Sequence, residues 1–157
     1  MQLEYFQLID RIVDLNVSER TITAEAQVPT ESTIFEGHFP GYPIMPGVLL
    51  IEAMAQTSGW LLIALMKFER MPFLAAVKEA KMRGFVAPGE LLTINASLVH
   101  DGSGYSITEA KIRVDGKVRS NATLTFSHIP FPSPDLRVHM DAEAERIGFL
   151  QQAAAHD

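Results

Sequence analysis

The sequence predicts an α+β fold, with one long apolar helix set early into an antiparallel sheet. Three observations carry this. Residues 48–66 are almost wholly apolar over 19 positions. The segments around that run alternate apolar and polar side chains with the period of a strand. Turn sequences such as Asp101-Gly102-Ser103-Gly104 and Asp115-Gly116 separate those segments. At 157 residues the chain fits one compact domain. Hydrophobic residues make up 47% and charged residues 20%, which excludes wholesale disorder. There is no cysteine, so disulfides, thiolate metal sites and cysteine nucleophiles are excluded. A net charge of −6 argues against nucleic acid as the main partner.

In chain order, residues 6–15 are rich in β-branched and aromatic side chains and read as a strand. Residues 20–28 alternate, with Ile22, Ala24, Ala26 and Val28 on one face, and read as a second. Residues 36–47 hold so many glycines and prolines that no regular element is expected. Pro46 suits the first helical position. The helix is expected to run to about Phe68, with Lys67 and Arg70 near its C-terminal end and Pro72 beyond as its stop. It is long enough to span a bilayer. Glu52 and Gln56 lie inside it, however, and a mid-span carboxylate costs about 3 kcal/mol. A helix apolar all round and followed by soluble β-structure is read as the buried centre of a domain, with no membrane span. Strands follow at 73–82, 91–100, 105–114 and 118–126, the last two joined by the hairpin sequence Asp115-Gly116. Ala110, Ile112 and Val114 share one face, as do Ala122, Leu124 and Phe126. Residues 129–136 read as a Pro-rich linker, and 141–155 as a helix with Ile147, Leu150 and Ala154 on one stripe. The chain thus divides into a domain at 1–128 and a linker and tail at 129–157. No basic segment followed by an apolar run opens the chain, so a cytoplasmic location is expected.

The chemistry concentrates in residues 36–56. His38 lies in the loop and Glu52 in the helix, fourteen positions on. An imidazole titrates near neutrality and suits proton abstraction. A carboxyl buried on so apolar a helix would favour its neutral, proton-donating form. Gln56 lies four residues on, on the same face, within hydrogen-bonding reach of Glu52. No Ser, Thr, Asp or Asn stands just before Pro46, so the first N–H groups, those of Gly47 and Val48 included, lack a side-chain cap. Such donors at a positive helix end stabilise an oxyanion. Base, acid and oxyanion donors in one unit match α-proton abstraction beside a thioester carbonyl, coupled to loss of a β-hydroxyl. Purely structural roles for His38 and Glu52 remain the alternative on these residues alone.

At these residues the chain resembles the (3R)-hydroxyacyl-acyl carrier protein dehydratases of bacterial fatty acid synthesis. Gly37-His38-Phe39-Pro40-Gly41, Pro43-Ile44-Met45-Pro46-Gly47-Val48 and Glu52-Ala53-Met54-Ala55-Gln56 match that family's signature, and Ala80 to Glu90 resembles its basic strand and following turn. The likeness covers about residues 5–128. It implies a hot-dog fold, a long helix wrapped by an antiparallel sheet, with two subunits joining their sheets. It implies a homodimer as minimal unit, alone or as a trimer of dimers. His38 of one subunit would face Glu52 of the other across an acyl tunnel, removing the C2 proton while Glu52 assists departure of the hydroxyl. Gly47 would hold the carbonyl, with Val48, Phe39 and Gln56 completing the substrate surface. No metal or redox cofactor is implied. Glu52 and the Ala55-Gln56 pair are similar to the dehydratase-only branch rather than to the dehydratase/isomerases. The chain departs from the family at Tyr42, Met82 and Gly84-Phe85. Lys78, Lys81 and Arg83 form either a docking patch for an acidic acyl carrier protein or a solvated mixed face. The alternatives of function are a thioesterase on the same fold and a non-catalytic acyl-binding module. The tail has three readings: a cap on the dimer, a cover for the tunnel, or a frayed end.

Overall fold

The structure, a computed structural model, describes residues 1–155. Six strands form one antiparallel sheet: β1 (Arg11–Asn16), β2 (Thr21–Gln27), β3 (Met71–Met82), β4 (Leu91–Asp101), β5 (Tyr105–Val114) and β6 (Lys117–Ile129). Their spatial order is β1-β2-β4-β5-β6-β3. The sheet wraps α2 (Gly47–Leu65), which packs on β2, β3, β4, β5 and β6. This is the hot-dog arrangement expected from the sequence. α2 is long and apolar enough to cross a membrane, yet most of it is buried. Leu61, Leu62 and Ile63 are almost wholly enclosed, the environment of a core helix.

Period-two patterning places the inner faces as read. Ile22, Ala24 and Ala26 of β2, Ala110, Ile112 and Val114 of β5, and Ala122, Leu124 and Phe126 of β6 are all buried. Two hydroxyls among them are satisfied, because Thr108 Oγ1 donates to Ser58 Oγ at 2.9 Å and so ties β5 to α2. Asp115 and Gly116 both take positive φ (50° and 76°), which a two-residue turn matched to strand twist requires.

Five local expectations are corrected. Residues 6–15 do not form one strand. A 3-10 turn at Leu3–Tyr5 precedes β1, Phe6 is left-handed, and the Leu8 N–H donates to the Gln56 side chain instead of a ladder. The Gly/Pro-rich segment is preceded by a short helix, α1 (Thr33–Gly37), started by Ser32, whose Oγ accepts from the Ile34 N–H. Pro46 caps α2 rather than opening its first turn, and α2 stops at Leu65, where Lys67 and Phe68 take positive φ. Pro72 lies within β3, an edge strand that tolerates proline. The tail forms two helices, α3 (Pro134–Arg146) and α4 (Phe149–Ala155), not a linker and one helix. Ser133 caps α3 by accepting from the Leu136 N–H, and Gly148, at φ 73°, divides α3 from α4. That break resets the helical phase. Ala144, Ile147 and Phe149 are buried, whereas Leu150 is exposed.

The tail is anchored. Arg137 donates to the Phe68 carbonyl at 2.9 Å and lies over the Phe68 ring, which stacks on Phe131. Phe149 meets Trp60 at 5.1 Å, and the Ile12 N–H donates to the Ile147 carbonyl at 2.8 Å. Fraying, one of the three readings of the tail, does not describe residues 134–155.

Candidate active site

His38 ends α1 as its C-cap residue, in the loop before α2. Its Nδ1 lies 3.1 Å from the Ile44 carbonyl oxygen. A carbonyl only accepts, so Nδ1 carries a proton, and in the neutral ring this leaves the lone pair on Nε2, the tautomer a base needs. The ring stacks on Phe39, centroid to centroid at 4.0 Å. The peptide between these two residues is cis.

Glu52 is half-buried in the single chain rather than enclosed, which corrects the expectation of full burial. It sits on a face of α2 that opens on a cavity of about 410 Å³. Gln56 holds it in place. The Gln56 amide nitrogen donates to Glu52 Oε1 at 3.1 Å and to the Phe6 carbonyl at 2.7 Å, while its amide oxygen accepts from the Leu8 N–H. The expected Glu52–Gln56 pair is present, and two backbone groups about fifty residues away orient it.

The start of α2 has no side-chain cap, as the sequence indicated. Leu49 and Leu50 both donate to the Pro46 carbonyl. A Cβ built on Gly47 would stand 3.3 Å from Met82 Cγ, so Gly47 keeps this helix end closely packed on β3. Val48 is 71% exposed, and Phe39, Tyr42, Met82 and Phe85 are also exposed. Tyr42 meets the Phe85 ring edge-on at 6.3 Å. Lys78, Lys81 and Arg83 are exposed along the C-terminal part of β3 and just beyond it, on either side of a register shift between Lys78 and Lys81.

The cavity runs along α2 past Glu52, Ala55, Gln56, Gly59, Trp60 and Ile63. At 1.5 Å per residue this is about 16 Å of helix. Polar groups gather at the Glu52 end, and Met71, Pro72 and Phe126 line the apolar remainder. His38 and Gly47 do not line it, so within one chain the cavity contains Glu52 and Gln56 without them. The sequence did not single out Tyr5, Phe6, Met140 and Glu143 as lining residues, nor His139, which is exposed and contributes to the rim of the cavity. The signal was the spacing of 139, 140 and 143 on one face of α3. Among the described residues no group of three His, Asp or Glu could hold a metal ion.

A long helix wrapped by one antiparallel sheet, with an acid and an apolar cavity on its open face, defines a hot-dog protein. The solved structures agree in fold. A conserved protein from Pseudomonas aeruginosa matches with a TM-score of 0.64 at 21% identity, covering 80% of this chain and 91% of the other. A putative thioesterase from Lactococcus lactis matches at 0.65 and 13% identity, covering 83% of this chain and 100% of the other. The family is narrower. The FabA-like domain model matches residues 1–123. The 3-hydroxyacyl-[acyl-carrier-protein] dehydratase FabZ of Streptococcus pneumoniae is 42% identical over 123 residues, covering 76% of this chain and 85% of the relative. That of Streptococcus thermophilus is equally similar, with 84% of the relative covered. The chain belongs to the FabA-like family of 3-hydroxyacyl-acyl carrier protein dehydratases.

Proposed function

We propose that this chain is a hydro-lyase converting (3R)-3-hydroxyacyl-acyl carrier protein thioesters to trans-2-enoyl thioesters and water in fatty acid synthesis, in the cytoplasm. The observation that carries the reading is the division of the site. Glu52 is oriented on the wall of an apolar cavity, while His38, with Nε2 free, stands outside that cavity. A second copy supplies the missing half. β3 is a sheet edge with exposed Phe73, Leu74 and Val77, and the surface around His38 and Val48 is apolar and exposed. Both features mark association surfaces. The minimal unit is therefore a homodimer with His38 of one subunit opposite Glu52 of the other.

In this site His38 Nε2 takes the C2 proton. Charge moves onto the thioester oxygen, where the Gly47 N–H and the positive end of α2 receive it. Glu52 gives its proton to the C3 hydroxyl, the C3–O bond breaks, and water leaves as the C2–C3 double bond forms. Val48 and Phe39 flank the substrate at the mouth, and the acyl chain lies along α2. Lys78, Lys81 and Arg83 meet the acidic carrier protein.

Absorbance of the conjugated enoyl thioester tests the reaction. His38→Ala and Glu52→Gln should each lower turnover by about 10²- to 10⁴-fold while the protein stays folded. Full activity in either variant overturns the roles. Free thiol released in the same assay, without enoyl product, identifies a thioesterase instead.

A further inference from the structure

The family model ends at residue 123, and α3 lies beyond it. Yet His139, Met140 and Glu143 of α3 form part of the wall of the Glu52 cavity. The helix is tethered at two points. Near the C-terminal end of α2, Arg137 bonds the Phe68 carbonyl at 2.9 Å. Near the polar end of the cavity, Glu143 Oε1 accepts from the Gln7 side chain at 3.2 Å. α3 therefore runs along the cavity, antiparallel to α2. Met140 lies about one turn from each tether, is part-buried, and packs against the core. Its unbranched thioether side chain is pliable.

We infer that Met140 of α3 is a specificity-determining residue that bounds the cavity and so sets which acyl chain lengths the enzyme accepts. The inference rests on the acyl-thioester reading of the cavity given above. It makes the tail a cover for the tunnel rather than a cap on the dimer. Changing the volume of this one side chain should change length preference, because Met140 lines the cavity without bonding Glu52 or Gln56.

The test compares kcat/KM across a graded series of 3-hydroxyacyl thioesters for the full chain and for Met140→Trp and Met140→Ala. Met140→Trp should lower kcat/KM on the longest substrates by roughly 10-fold or more relative to the shortest. Met140→Ala should move the preference towards longer chains. A long-to-short ratio unchanged in both variants, or a uniform loss at every length, overturns the inference. If Met140→Trp fails to fold, Met140→Ala decides alone by the same ratio. A second readout needs no turnover: saturated fatty acids of graded length displacing bound cis-parinaric acid. A shifted displacement profile in a protein that dehydrates nothing would keep the inference and remove the dehydratase reading. Normal dehydration with unshifted profiles in both assays would do the reverse.

Discussion

The two edges of the sheet are finished differently. At β1 the chain closes its own edge, since the Ile12 N–H is taken by the Ile147 carbonyl and α4 packs over the strand. At β3 the edge is twelve residues long and carries exposed Phe73, Leu74 and Val77. An unpaired apolar edge of that length invites another strand. The contrast separates two demands on one sheet. The β1 edge serves stability within the chain, and the β3 edge is kept open for the second copy that the proposed site requires.

The largest effect should come from breaking the open edge. Val77→Glu places a carboxylate where the two copies would meet, at a position exposed enough in one chain to tolerate it. The dimer should dissociate in sedimentation analysis, and turnover should fall by about 10²-fold or more, because base and acid then lie on separate molecules. A monomer with full activity would contradict the shared site.

Damage at the closed edge should look different. Ile147, at the end of α3 in the tail, is buried, and Ile147→Ala should cost about 2–5 kcal/mol of stability in denaturant titration. Assembly and turnover of the folded fraction should be unchanged. Loss of the dimer in this variant, with β3 intact, would erase the distinction between the edges.

The smallest effect concerns pH, at the root of the open edge. His128 pairs with Pro72 across the β3–β6 ladder, and its Nε2 is buried with no hydrogen-bond partner among the described residues. Burial of the ring, chiefly, and the nearby Arg70 cation hold its pKa below the ordinary 6.5, against the opposing pull of Asp101. The unfolded chain then binds more protons than the folded one, so stability is lost as pH falls below about 6.5. His128→Gln should reduce the drop in Tm between about pH 7.5 and 5.5 by roughly 1–3 °C. An identical drop in both proteins would remove His128 from the acid sensitivity.

What could be read from the sequence was local. The inner faces of β2, β5 and β6 follow from alternation, the Asp115-Gly116 turn from its residue types, and the uncapped start of α2 from the absence of a polar residue before Pro46. The pairing of Glu52 with Gln56 follows from helical spacing. What was not legible depends on distant partners. Gln56 bonds Phe6 and Leu8, and that capture of backbone groups is why residues 6–10 fail to join a strand. The division of the tail turns on Gly148, whose positive φ only the tertiary arrangement reveals. Met140 reaches the cavity because Phe68 and Gln7 tether α3 from two remote parts of the chain.

The shared site can be tested by pairing two inactive proteins. His38→Ala and Glu52→Gln chains, co-expressed in equal amounts, should form mixed dimers in which one of the two sites is wholly native. Random pairing makes half of all dimers mixed, so about a quarter of wild-type turnover should return. Activity no higher than that of either variant alone would place both groups in one chain and contradict the account.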